Sequence, residues 1–119
     1  MSIAIDGADA ANGALQLAPG YHHELMSTPG ELRKLSADEA ATILDEDWRV
    51  IETNPGDVVI FHSLTPHCSG RNTSDRSRRT FFLTYNRSSK GDVYAEQQAH
   101  YHAYSTRNRK EGEGAFFFR

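Results

Sequence analysis

Met1, Ile3 and Ile5 alternate with Ser2, Ala4 and Asp6 at the head of the chain. That period of two belongs to a strand with one buried face, so a strand is expected from the first residue. "GADAANG" then supplies loop and turn residues, and in "ALQLA" Leu15 and Leu17 share a face before Pro19-Gly20 ends the run. Two strands joined by a turn is the simplest account. The period changes in "SADEAATILDED", where Ser36 and Glu39 have the spacing of a capping box and Ala37, Ala40, Ala41 and Leu44 recur at helical intervals. One short helix is predicted there. Trp48, Val50 and Ile51 lead to Pro55-Gly56, which turns the chain into "DVVIFHS", a β-branched run expected to form a buried strand. "RTFFLTY", residues 79–85, is apolar almost throughout and predicts a strand covered on both faces. After Asp92 the segment "DVYAEQQAHYHAYSTRNRK" contains no Pro or Gly and repeats Ala95, Ala99 and Ala103 at i+4, which predicts a helix. "EGEGAFFFR" follows no period, and no element is assigned to it.

Several strands with Gly/Pro turns and short helices outside them imply a mainly β architecture, a sandwich or a jelly roll. With 119 residues the chain has the length of one domain. Hydrophobic residues make up 38%, and no apolar run approaches the ~20 residues of a membrane span, so a water-soluble protein with no membrane partner is expected. "MSIAIDGADAANG" has no basic residues ahead of an apolar stretch, so no secretory signal is expected. A single cysteine, Cys68, leaves no internal disulfide and fits a reducing compartment, so a cytoplasmic location is expected.

The net charge of −3 and pI of about 6.0 exclude a general basic excess, and no nucleic-acid partner is expected. Basic residues are nevertheless concentrated in one place. Arg71, Arg76, Arg78 and Arg79 follow His62 and His67 closely. Three readings compete for this cluster: a solvated loop, a small nucleic-acid patch, and a pocket for one small anion. The neighbouring histidines favour the last.

His67 comes just after Pro66, where a neutral imidazole can face a cavity and ligate a metal, although most histidines only satisfy a hydrogen bond. Cys68 is a poor co-ligand, because adjacent side chains on an extended segment point to opposite faces. His62 can line a pocket, but its first reading is packing near the end of its strand. Arg78 opens the strand "TFFLTY" and can project inward, and its planar guanidinium meets a carboxylate with two parallel hydrogen bonds. A metal on His67 and a carboxylate on Arg78 together describe a site for a dicarboxylate that also chelates the metal.

"AIDGADAANGALQLAPGYHHE" and "NPGDVVIFHSLTPHCSGRNTSDRSRRTFFLTYN" resemble the C-terminal half of the phytanoyl-CoA dioxygenase family, Fe(II)- and 2-oxoglutarate-dependent oxygenases. The likeness covers roughly residues 3–26 and 48–86, in order. It implies a double-stranded β-helix, a jelly roll of cupin-like form with short flanking helices, holding iron through two histidines and one carboxylate. It also implies roles for particular residues. His67 falls on the distal histidine of a pattern like "HxSGxNxSxxxR", Arg78 on the arginine for the far carboxylate of 2-oxoglutarate, and Ser69 on the assisting hydroxyl. Asn72 lies in the same pattern and is assigned to loop structure. Cys68 departs from the glycine usual at its position.

In the family an H-x-D motif supplies the other metal ligands, upstream of the strand that matches "MSIAIDG". The expectation is therefore a truncated domain over residues 1–90, followed by a helix and tail over 91–119, with an incomplete metal site and self-association through open strand edges. His22-His23-Glu24 fits H-x-[DE] but sits at a turn that carries no metal in the family, and His100 and His102 diverge on a helix. The resemblance implies hydroxylation of a small molecule, with Fe(II) as cofactor and 2-oxoglutarate as co-substrate. Two other classes stay open: a metal-free β-barrel module that binds an acidic metabolite through Arg78, and an interaction protein using the half-barrel and the "AFFFR" tail.

Overall fold

The computed structural model describes residues 1–23 and 35–108. Within it lie a β-sheet unit, described over 1–23 and 35–85, and a C-terminal unit, described over 86–108. The strands are β1 (Ser2–Ala4), β2 (Leu15–Leu17), β3 (Arg49–Val50), β4 (Val58–Val59), β5 (His67–Ser69) and β6 (Thr80–Phe82). They form two antiparallel sheets, ordered β4-β1-β6 and β3-β2-β5. The fold is mainly β and has the two-sheet order of a jelly-roll fragment.

β1 and β2 do not pair as a hairpin. β1 lies between β4 and β6, and β2 between β3 and β5, so the connection between them crosses from one sheet to the other. Register fixes the faces: Ser2 opposes Phe82, Ala4 opposes Thr80, Leu15 opposes Ser69 and Leu17 opposes His67. Ser2, Ala4, Leu15, Thr80 and Phe82 all line one hollow between the sheets, which defines the inner face. The buried apolar residues are few, namely Ala4, Ala14, Leu17, Ala18 and Ile43.

The segment around β4 was expected to be buried, yet Val58 is 51% and Ile60 79% exposed. β6 differs likewise from a strand covered twice, with Phe81 55% exposed. β4 and β6 are edge strands, each paired only with β1, and Ile3, Val58 and Phe81 share the outer face, where the apolar run reflects strand propensity rather than depth.

The capping box forms: Glu39 N–H donates to Ser36 Oγ at 3.2 Å, and Ser36 N–H to Glu39 Oε2 at 2.7 Å. The helix it starts, α1 (Ala37–Ala40), has one turn, and a 3-10 turn follows at Asp45–Asp47. In the C-terminal unit a 3-10 turn at Ser88–Lys90 precedes α2 (Tyr94–Asn108). The "AFFFR" tail lies outside the described residues.

The loop from β1 to β2 carries the most buried polar side chain. Asn12 is fully buried; its Nδ2 donates to Gly7 O at 2.8 Å and Ser77 O at 3.4 Å, and its Oδ1 accepts from Asp9 N–H at 2.8 Å. Gly13 beside it has φ +80°, and a Cβ there would meet Gly70 O at 2.5 Å. Only glycine fits both the backbone and the gap. Asn12→Ala is expected to cost about 2 kcal/mol through the buried groups left unpaired. Gly13→Ala should also lower the melting temperature, whereas Gly20→Ala, at a positive φ but in open space, should lower it less. Thermal unfolding by circular dichroism measures all three.

Candidate functional site

The arginine run is sorted by the acidic loop that faces it. Arg76 Nη2 donates to Asp9 Oδ2 at 2.6 Å, and Arg79 Nε and Nη2 grip the two oxygens of Asp6 at 2.9 Å each. Backbone contacts reinforce the join, with Thr73 N–H donating to Ala11 O at 3.1 Å and Ile5 N–H to Arg79 O at 3.0 Å. Asn72 serves the turn itself: its Oδ1 accepts from Ser74 N–H at 2.9 Å and its Nδ2 donates to Arg76 O at 2.6 Å. On extended backbone adjacent side chains point to opposite sides, so Arg79 turned outward to Asp6 leaves Arg78 facing inward. Arg78 is half-buried, lines the hollow between the sheets, and has no hydrogen-bond or ion-pair partner among the described residues. The hollow measures about 20 Å³, room for one small polar group.

His67 opens β5 opposite Leu17, and Ser69 lies opposite Leu15 on the same inner face. Ser69 is therefore on the side where Leu15 and Arg78 line the hollow, and the imidazole stands about 7 Å further along the strand. Cys68, between them, points to the other face, which removes it as a co-ligand, and partial burial pushes its thiol pKa up. The chain enters β5 at one end of the sheets, with His67, and leaves β5 toward β6 at the other, where Arg78 lies. Histidine and arginine thus mark the two ends of one inner face.

His67 has a defined tautomer. Its Nδ1 lies 2.9 Å from Thr65 O, an atom that only accepts, so Nδ1 carries the proton and the neutral ring keeps a bare lone pair on Nε2. This is the form that ligates metals. Phe61 lies against the same ring, with centroids 5.3 Å apart. His62, read as packing near a strand end, is instead exposed in the turn His62–Thr65, closed by Thr65 N–H donating to His62 O at 3.0 Å. Its ring lies 5.8 Å from that of His22 and tilted to it, and His22 lies 4.3 Å from His23. This pairing across some forty residues has no sequence signal short of the topology, and the sequence reading missed it. Glu24, the third member of the H-x-[DE] match, lies outside the described residues.

An Fe(II) site of two histidines and a carboxylate does not fit the described residues as a set. No three His, Cys, Asp or Glu side chains among them are placed to hold a metal, and His67 offers one ligand position. No helix among the described residues is long and apolar enough to cross a membrane.

Comparison with known proteins places the chain at the family level. The family model of phytanoyl-CoA dioxygenase (PhyH) matches residues 1–80. A 2-aminoethylphosphonate dioxygenase from uncultured bacterium HF130_AEPn_1 is 40% identical over 97 residues, covering 77% of this chain and 34% of that protein. A methylphosphonate hydroxylase from Gimesia maris is 35% identical over 98 residues, covering 82% of this chain and 36% of that protein. The dioxygenase lolE1 of Epichloe uncinata is 32% identical over 83 residues, covering 70% of this chain and 31% of that protein. The chain spans about a third of the length of these relatives. No solved structure matches it.

The clasp has a measurable pH signature. Hydrogen bonds from the Arg79 side chain, and then from its backbone N–H, hold the Asp6 carboxyl at about 2, below its ordinary 3.8; Arg76 lowers Asp9 in the same direction. A carboxylate whose folded pKa is depressed stabilises the fold above its unfolded value, and that contribution disappears as pH falls through the folded one. Asp6→Asn should therefore be less stable than the wild type at pH 7 and converge with it as pH drops from about 4 to 2. Urea unfolding across that range reads the difference. The family model over residues 1–80 and the 40% identity over 77% of the chain establish that the chain belongs to the phytanoyl-CoA dioxygenase family.

Proposed function

We propose that this chain is the co-substrate-binding part of an Fe(II)- and 2-oxoglutarate-dependent dioxygenase that hydroxylates a small phosphonate. The observation that carries the reading is Arg78, a half-buried, partnerless guanidinium between two arginines that each hold a carboxylate. A half-buried guanidinium without a counter-charge has its donors free, and an incoming carboxylate can take them with two parallel hydrogen bonds. 2-Oxoglutarate suits the span, because its outer carboxylate meets Arg78 and the Ser69 hydroxyl while its oxo-acid end extends along β5 toward His67. His67 would give its Nε2 lone pair to the iron, whose remaining ligands are not among the described residues. When bound, iron and 2-oxoglutarate supply the oxidising power for C–H hydroxylation. The chain's own share is to fix the diacid's direction and to keep water from its outer end.

Phosphonate as the substrate class rests on the relatives' names, 2-aminoethylphosphonate dioxygenase and methylphosphonate hydroxylase. Calorimetry with 2-oxoglutarate tests the core of the proposal. Arg78→Gln should weaken binding by roughly tenfold or more, while Arg79→Gln should stay within about twofold and lose stability instead. Equal losses in both variants, or no binding by the wild-type chain, would contradict it.

A further inference from the structure

Five residues apart, the two histidines of the β4–β5 connection are held as opposite tautomers. In His67 the proton is on Nδ1, against Thr65 O. In His62 the Nδ1 accepts the Leu64 N–H at 3.2 Å, so the neutral ring carries its proton on Nε2. His67 therefore presents a lone pair, whereas His62 presents an N–H donor and no accessible lone pair. His62 in this form cannot add a second ligand to the metal that His67 would hold. It is built to receive an acceptor.

The position of that donor follows from the topology. β2 ends at Leu17 opposite His67, and Ala18 N–H donates to Pro66 O at 3.0 Å, so the chain that continues to His22 leaves at the end where His67 enters. Tyr21, next to His22, is anchored by its hydroxyl donating to Asp47 Oδ2 at 2.7 Å. His62 arrives at the same end from β4 through Phe61, whose ring rests on His67. Two loops from two different sheets thus place imidazoles at 5.8 Å, tilted by 47° rather than stacked, at the end of the sheets where His67 opens β5. The arginine that would otherwise serve an anion here is at the other end, and Arg76 and Arg79 are already paired.

We propose that His62, with His22 beside it, is the headgroup site for the substrate, donating Nε2–H to an oxygen of a phosphonate. This rests on the phosphonate dioxygenase reading above and assigns the substrate's anionic end to residues distinct from those that take the co-substrate's carboxylate. A charge-assisted hydrogen bond from a neutral imidazole orients a tetrahedral phosphorus oxyanion while leaving its carbon end free to lie toward His67.

The test titrates the chain with methylphosphonate and, separately, inorganic phosphate, reading 31P shift and linewidth. Methylphosphonate should bind more tightly than phosphate. His62→Leu should weaken it by roughly tenfold, and His62→Gln, whose amide places an N–H near the lost Nε2–H, should recover most of that loss. 2-Oxoglutarate binding should be the same in all three chains, which also reports that the variants are folded. Methylphosphonate affinity within about twofold of wild type in His62→Leu, no rescue by His62→Gln, or tighter binding of phosphate overturns the assignment. A His62-dependent phosphonate signal in a chain that fails to bind 2-oxoglutarate would instead sink the dioxygenase reading and leave the headgroup site standing.

Discussion

The clasp between the acidic loop after β1 and the arginine loop before β6 decides what the rest of the molecule can do. Asp6 and Asp9 take Arg79 and Arg76, and buried Asn12 ties Asp9 and Gly7 to Ser77. Gly13 lets the two loops approach to a distance no side chain would allow. Exposed ion pairs contribute little to stability individually. Their larger effect here is positional. With Arg76 and Arg79 turned toward carboxylates, Arg78 lines the hollow between the sheets without a counter-ion among the described residues.

The other end of the inner face is organised by backbone groups rather than charges. One turn, His62–Thr65, fixes two imidazoles in different protonation patterns, one through a carbonyl and one through an amide. The two rings differ in which nitrogen their backbone partner engages as donor or acceptor. The same strand that separates the two ends by about 7 Å, β5, carries Ser69 at the arginine end and His67 at the other. In the proposed function that spacing takes a molecule with an acidic and a chelating terminus, and in the further proposal the histidines beyond it take a second molecule.

Much of the fold was legible. The alternation in "MSIAID", the Pro19-Gly20 and Pro55-Gly56 breaks and the Ser36/Glu39 box all correspond to elements where they were expected, and the mainly β class followed from them. What the pattern could not carry was pairing. β1 and β2 form where they were expected, joined by a turn-containing loop, but each pairs with strands more than thirty residues away, through backbone groups that leave no mark on side-chain periodicity. Apolar density in "DVVIFHS" and "RTFFLTY" was likewise read as depth, although β4 and β6 are the edge strands of a three-stranded sheet and keep Val58, Phe81 and Phe82 about half exposed. Residue type and spacing drew attention to His67 and Arg78. The partnerships that distinguish Arg78 from Arg79, and the proton positions that distinguish His67 from His62, exist only in the folded chain.

The most direct measurement follows the arginine side chains themselves. In 15N-labelled protein, guanidinium resonances assigned by single Arg→Lys variants can be watched as 2-oxoglutarate is added. The account predicts that Arg78 alone shifts and loses its free rotation, while Arg76 and Arg79, already held by Asp9 and Asp6, keep their spectra. Shifts at Arg76 or Arg79 with Arg78 unchanged would mean that the clasp, not the hollow, receives the diacid, and would contradict the account.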